Sequence, residues 1–127
     1  MADALKLGVN GAAGRMGQRV VALAAADKAL RVAAAYEWSG SDKLGRDAGE
    51  LAGVGTLNVP VSDQISEHMD VVIDFSTPDG CMHILTQCAS RAIPLVIATT
   101  GLTTAQKTRI EEASQTTPIL FAPSMSL

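Results

Sequence analysis

Five short, mostly apolar runs, each set off from the next by a helical pattern or a turn-rich stretch, constrain this chain more than any other feature. They are "LKLGVN" (Leu5–Asn10), "LRVAAAY" (Leu30–Tyr36), "DVVIDF" (Asp70–Phe75), "PLVIA" (Pro94–Ala98) and "PILFA" (Pro118–Ala122). Near-continuous apolar strands of this kind belong to a parallel sheet covered on both faces. Between them the spacing predicts helices over about Gly14–Lys28, from Pro78 to about Arg91, and from Thr103 to about Ser114. In the first helix Met16, Val20 and Leu23 form one stripe, with Val21 and Ala24 beside it. Thr77 followed by Pro78 reads as a helix start, and "TTAQ" (Thr103–Gln106) matches a capping box. "NVPV" (Asn58–Val61) reads as a short strand that Pro60 confines to an edge. The fold class that follows is α/β, a doubly wound and mainly parallel sheet with helices on both faces.

Residues 37–57 are rich in Gly, Ser and charge and read as a long loop with one helical turn at "DAGEL". A loop of that length inside a compact domain is usually functional or mobile. The chain has 127 residues, the size of one ordinary domain, so residues 1–127 read as a single folding unit. Aromatics are scarce, only Phe75, Phe121, Tyr36 and Trp38, as suits a core close-packed from Val, Ile, Leu and Ala. A net charge of −3 gives no support to nucleic-acid or membrane-surface binding. No apolar stretch reaches the roughly 18–20 residues that span a bilayer, and the N-terminus lacks a signal-peptide layout. Cys81 and Cys88, seven apart, fall on one helix face and read as packed, reduced thiols of a cytoplasmic protein, with no metal site. His68 reads as part of a surface turn and His83 as lying inside a helix, so neither is placed for catalysis.

The functional signal sits where the first strand meets the first helix, in "GVNGAAGRMGQRVV". Glycine is entropically costly in regular structure, and Gly11, Gly14 and Gly17 recur at fixed spacing. In a Rossmann-like βαβ unit one such glycine permits the tight turn, another lets the backbone approach a pyrophosphate, and a third lets the helix pack on the strand. A plain tight turn with a small-residue helix contact is the competing reading. Glu37, at the end of the second strand and 20 positions beyond Gly17, favours the dinucleotide, because an acid there accepts hydrogen bonds from an adenosine ribose. Taken alone, Glu37 also reads as a solvated loop carboxylate. "FSTP" and "ATTG" put Ser76, Thr77, Thr99, Thr100 and Gly101 at the carboxyl edge of the sheet, where open α/β folds bind ligands.

"GAAGRMG", "YEW", "DAGELAG", "VVIDFSTPDG", "VIATTGL" and "FAPSMSL" occur in order along the whole chain. Together they resemble the N-terminal, cofactor-binding domain of bacterial dihydrodipicolinate reductase, or 4-hydroxy-tetrahydrodipicolinate reductase. The resemblance implies an oxidoreductase of the diaminopimelate and lysine pathway that uses NADH or NADPH to reduce a cyclic, dihydropyridine-like dicarboxylate. It also implies which residues meet the cofactor. Gly11, Ala12, Ala13, Gly14, Arg15 and Met16 would wrap the pyrophosphate, with Glu37 on the ribose; the indole of Trp38, by its own chemistry rather than by the resemblance, could stack on the adenine. Ala98, Thr99 and Thr100 would line the nicotinamide side, and Ala122, Pro123, Ser124 and Met125 would form the last cofactor-facing loop.

Three departures from the family pattern matter. The position after the acid is often basic in the family and meets the 2′-phosphate of NADPH; here it is Trp38, so NADH is expected to be favoured. The final loop usually reads Asn-Phe where this chain has Ser124 and Met125. The family's substrate domain, with its His-His motif, lysine acid and Gly-Thr anion-binding turn, follows the position of Leu127. The expectation is therefore a domain that binds cofactor and carries no catalytic residues of its own. In the family that missing domain assembles homotetramers, so this piece is expected to be a monomer or weakly associated. The alternative is a free-standing NAD(H)-binding regulatory module. A sugar-epimerase-like relative is excluded by the lack of a Tyr-x-x-x-Lys pair.

Overall fold

The computed structural model describes residues 3–123. Six strands form one sheet: β1 (Leu5–Asn10), β2 (Leu30–Tyr36), β3 (Val61–Ser62), β4 (Val71–Asp74), β5 (Leu95–Ile97) and β6 (Ile119–Phe121). Their spatial order is β3-β2-β1-β4-β5-β6 and every pair of neighbours is parallel. The chain winds outward from β1 in one direction and then from β4 in the other. That reversal opens a crevice at the carboxyl ends of β1 and β4, the place where doubly wound sheets bind ligands.

Four helices connect the strands: α1 (Arg15–Ala25), α2 (Ala48–Leu51), α3 (Pro78–Arg91) and α4 (Thr104–Ser114). One core cluster joins Val20, Val21 and Ala24 of α1 to Leu7, Val9 and Val32. The other joins Ile84, Leu85 and Cys88 of α3 and Ile110 of α4 to Val72, Leu95 and Ile97. The doubly wound α/β class expected from the strand–helix alternation is the fold observed.

Three local expectations need correction. The buried stripe of α1 is Gly17, Val20, Val21 and Ala24, whereas Met16 and Leu23 are exposed. Gly17 causes the offset: a Cβ there would run into the backbone of Gly11 and Ala12, so the helix lies with this bare position against the turn. The helix also stops at Ala25 rather than near Lys28. Asp27 folds back through its side chain onto Ala29 N–H (2.8 Å) and through its carbonyl onto Leu30 N–H (3.1 Å), a polar turn that competes with helix. The short edge strand starts at Val61 rather than Asn58. Asn58 has φ 60°, and Pro60 makes only an isolated antiparallel bridge to Asp47.

The long segment after β2 does contain the helical turn expected at "DAGEL", and Asp47 organises it. Its carboxylate accepts the N–H groups of Glu50 (3.0 Å), Leu57 (2.9 Å) and Val59 (2.8 Å). These bonds, led by that from Leu57, hold the Asp47 carboxyl below its usual range. Cys81 and Cys88 lie buried on one face of α3, and burial pushes the Cys88 thiol up to about 12.

Candidate functional site

β1 ends in Asn10, and the chain turns through Gly11 (φ +80°) before α1 begins. Gly11 and Ala12 both donate their N–H groups to the carbonyl of Tyr36, at 3.0 and 3.2 Å, which ties the turn to the end of β2. Two of the three glycines are fixed by the protein's own packing. A Cβ at Gly11 would sit 2.5 Å from the carbonyl oxygen of Phe75, in a backbone region that side chains rarely adopt. Gly17 is closed by the same turn, as described above. Gly14 differs. It is exposed, its φ is −78°, and a Cβ there would meet only Gly11 O, at an ordinary 3.4 Å. The fold does not require a glycine at 14.

Gly14 is also the N-cap of α1, and it offers no side chain to the helix's free N–H groups. No acidic residue stands in the first turn to offset the positive end of the dipole. That bare end opens on a cleft of about 560 Å³. Asn10, Gly11, Gly14, Glu37, Trp38 and Ser39 line one side of it, and Phe75, Ser76, Thr77, Asp79, Gly80 and His83 the other. The cleft thus brings together the glycine turn, the acid after β2 and the start of α3.

Glu37 is not simply solvated. Its Oε2 accepts the backbone N–H of Ala13 at 2.9 Å, reaching from the end of β2 to the phosphate-loop candidate. Trp38 beside it is 66% exposed, a large apolar side chain left facing the cleft. Arg15 and Met16 project exposed from the first turn of α1, while the Ala12 side chain is wholly buried in the core, leaving only its backbone toward the turn.

Ala98, Thr99 and Thr100 follow β5 at the same sheet edge, with Ala98 and Thr99 buried and Thr100 exposed. Ala122 and Pro123 follow β6, where Ala122 N–H donates to Ile97 O at 2.8 Å. None of these five lines the 560 Å³ cleft. Ser124 and Met125 lie outside the described residues.

Three residues at the edge carry little or no signal in the sequence. Asp74 closes an otherwise apolar strand and is fully buried, accepting from Asn10 Nδ2, Ser76 Oγ and Thr99 Oγ1. Asn10 is the second, and its amide also reaches Gly80 O at 3.2 Å. His83 is the third: it sits on the cleft wall with Nε2 3.1 Å from Asp63 O, a placement that needed the folded position of α3 to be seen. The acid set between Ile73 and Phe75 in "DVVIDF", directly after three apolar positions, was the available clue to Asp74.

A family model described as dihydrodipicolinate reductase, N-terminus, matches residues 5–125. The chain belongs to this family. The 4-hydroxy-tetrahydrodipicolinate reductase of Methylococcus capsulatus is 41% identical over 126 residues, covering 97% of this chain and 47% of that protein. The reductase of the same name from Rhodopirellula baltica is 44% identical over 142 residues, covering 100% of this chain and 48% of its own length. The chain therefore spans about half the length of these reductases. Among solved structures, a dipicolinate-bound dihydrodipicolinate reductase from Paenisporosarcina sp. TG-14 superimposes with a TM-score of 0.63 at 19% identity, over 87% of this chain and 43% of that one. An aspartate semialdehyde dehydrogenase from Candida albicans, solved with NADP, gives 0.62 at 20% identity, over 76% and 30%. Both share the fold seen here. No described helix is long and apolar enough to cross a membrane.

Proposed function

We propose that residues 1–127 are the dinucleotide-binding domain of a 4-hydroxy-tetrahydrodipicolinate reductase, a cytoplasmic enzyme of diaminopimelate and lysine biosynthesis. The observation that carries this reading is Gly14: a position where the fold has room for a side chain, left bare at an uncapped helix end that opens into the cleft. Anions bind at such helix ends through free N–H groups and the dipole. The residues present fit a nicotinamide dinucleotide. Gly11, Ala12, Ala13 and Gly14 supply the pyrophosphate turn with Arg15 and Met16 flanking it, Glu37 faces the adenosine ribose, and Trp38 offers a flat apolar surface to the adenine. Ala98, Thr99, Thr100, Ala122 and Pro123 continue the edge toward the nicotinamide, and the family pattern adds Ser124 and Met125 to the cofactor's contacts.

When bound, the reduced nicotinamide supplies a hydride, and the protein's part is binding, orientation and exclusion of competing reactions. In this chain the work is done by backbone N–H groups and one carboxylate. The substrate is a small cyclic dicarboxylate, in keeping with the dipicolinate held by the Paenisporosarcina relative. Its anion-binding groups and the acid that protonates the product belong to a substrate domain, through which the whole enzyme assembles as a homotetramer. The domain alone binds cofactor and does not turn over substrate.

NADH is the favoured cofactor. Glu37 places a carboxylate at the ribose end of the cleft, where a 2′-phosphate with about two negative charges would be repelled. Trp38 has one donor and no charge, in contrast to the guanidinium fork that suits a phosphate. Lys43 is turned toward Asp42, with Nζ 3.9 Å from its carboxylate. Paired calorimetric titrations with NADH and NADPH test this reading. The parent chain binds NADH more tightly, and Trp38→Arg shifts the preference toward NADPH by about 1–3 kcal/mol. A parent that strongly favours NADPH overturns the assignment of Trp38. A parent that binds neither overturns the function.

A further inference from the structure

Asp74 is 0% exposed at the end of β4, beside the point where the strand order reverses. Among the described residues the only side-chain ion pair is that of Lys43 with Asp42, so no cation accompanies this buried carboxylate. Burying a charge without a counter-ion costs several kcal/mol unless hydrogen bonds replace the lost water, and an apolar residue of similar size is often as stable. Stability alone therefore does not explain an acid here.

The donors around it form a closed ring. Thr99 Oγ1 donates to Asp74 Oδ2 at 2.6 Å, and Ser76 Oγ donates to Asp74 Oδ1 at 2.6 Å. Thr99 Oγ1 in turn accepts the backbone N–H of Ser76 at 3.0 Å. Asn10 Nδ2 joins from β1, donating to Asp74 Oδ1 at 2.9 Å. The backbone repeats the link, with Ala98 N–H donating to Asp74 O at 2.9 Å. One carboxylate thus ties the ends of β1, β4 and β5: the segments after β1 and β4 line the cleft, and the one after β5 continues the same sheet edge beside it. Charge-assisted bonds of this length are the strong and directional ones.

We propose that Asp74 is a positioning residue: by holding Thr99 and Ser76 it fixes the loops after β4 and β5 as one rigid floor for the nicotinamide end of the cofactor. This rests on the dinucleotide reading above. The Thr99 hydroxyl is spent inward on the ring, so the exposed Thr100 and the Gly101 turn (φ +81°) take their place at the edge from a fixed anchor. The adenosine end, built from Gly14, Glu37 and Trp38, lies outside the ring.

Two ligands separate the two ends: ADP-ribose, which lacks the nicotinamide, and NADH, whose reduced ring reports its surroundings by fluorescence. Thr99→Val removes the hydroxyl at nearly constant shape, and Thr99→Ser keeps it. Thr99→Val should bind ADP-ribose like the parent while NADH weakens about tenfold, the scale of one hydrogen bond, and the bound nicotinamide emission falls toward that of free NADH. Thr99→Ser should restore both readouts. Asp74→Asn, which removes an acceptor at constant size, should follow Thr99→Val. Equal loss of ADP-ribose and NADH in Thr99→Val would overturn the proposal, since the ring would then support the whole domain. Unchanged NADH emission in Thr99→Val, or in a folded Asp74→Asn, would overturn it as well. A parent that binds neither ligand defeats the dinucleotide reading itself.

Discussion

α1 and α3 both begin at the carboxyl edge of the sheet, a few residues beyond β1 and β4, and their first turns are finished differently. At α3 the Thr77 hydroxyl accepts Gly80 N–H at 3.0 Å and Pro78 takes the first helical position. α4 goes further, with Thr103 and Gln106 bonding each other's backbone at 3.1 and 2.8 Å, and even the single turn of α2 is capped by Asp47. α1 has Gly14 and no side-chain cap. A helix end capped by its own chain has at least one of its orphan N–H groups already taken, whereas an end left bare beside a cleft keeps its N–H groups for something else. The difference also divides the glycines. Gly11 and Gly17 are demanded by internal contacts, and Gly14 is not.

Gly17→Val carries the largest expected effect and probes the packing side of that division. The new side chain would strike the Gly11–Ala12 backbone, so the loss of stability should reach about 3 kcal/mol or more, read by urea or thermal unfolding. A Gly17→Val chain as stable as the parent would show that the turn yields easily and that the two kinds of glycine are not distinct.

Thr103→Ala strips the cap from α4, away from the cleft. It should cost about 1 kcal/mol of stability and leave NADH affinity unchanged. A loss of binding here would mean that the capped ends are coupled to the site, blurring the contrast with α1.

The smallest effect concerns the capped turn of α2. The Asp47 carboxyl is held below its ordinary value in the fold, mainly by Leu57 N–H, so its contribution is present at neutral pH and above. That contribution is lost as pH falls from the unfolded carboxylate value through the lower folded one. Unfolding midpoints measured across the acid range should fall more steeply for the parent than for Asp47→Asn, whose amide oxygen keeps the bonds of only one of the two carboxylate oxygens and does not titrate. Parallel slopes would remove Asp47 from the account.

Most of the fold was legible in the residues because it rests on local signals. β1 and β2 have the bounds that their apolar runs imply, and the caps at Thr77 and Thr103 are where the side-chain spacing places them. What escaped depends on contacts between distant segments. The inward face of α1 was set by Gly17 meeting the turn rather than by the most apolar stripe. The long loop after β2 reads as loosely held until the Asp47 carboxylate is seen gathering N–H groups 10 and 12 residues away. The ring around Asp74 joins residues 64 and 25 positions apart, which no periodicity reports. At the site, the glycine spacing and Glu37 pointed to the cleft they share, but the bond from Ala13 N–H to Glu37 and the His83 wall appear only in three dimensions.

The most direct test of the central claim, that α1 is left bare at Gly14 to receive the dinucleotide pyrophosphate, is Gly14→Ser measured twice, by thermal unfolding and by NADH titration. Serine turns the start of α1 into one like the starts of α3 and α4. The chain should be as stable as the parent or a few tenths of a kcal/mol more so, because serine is a good N-cap. Its NADH affinity should fall at least about tenfold, or about 1.4 kcal/mol, because the new side chain occupies the anion's place. A Gly14→Ser chain that folds well and binds NADH as tightly as the parent would contradict the account.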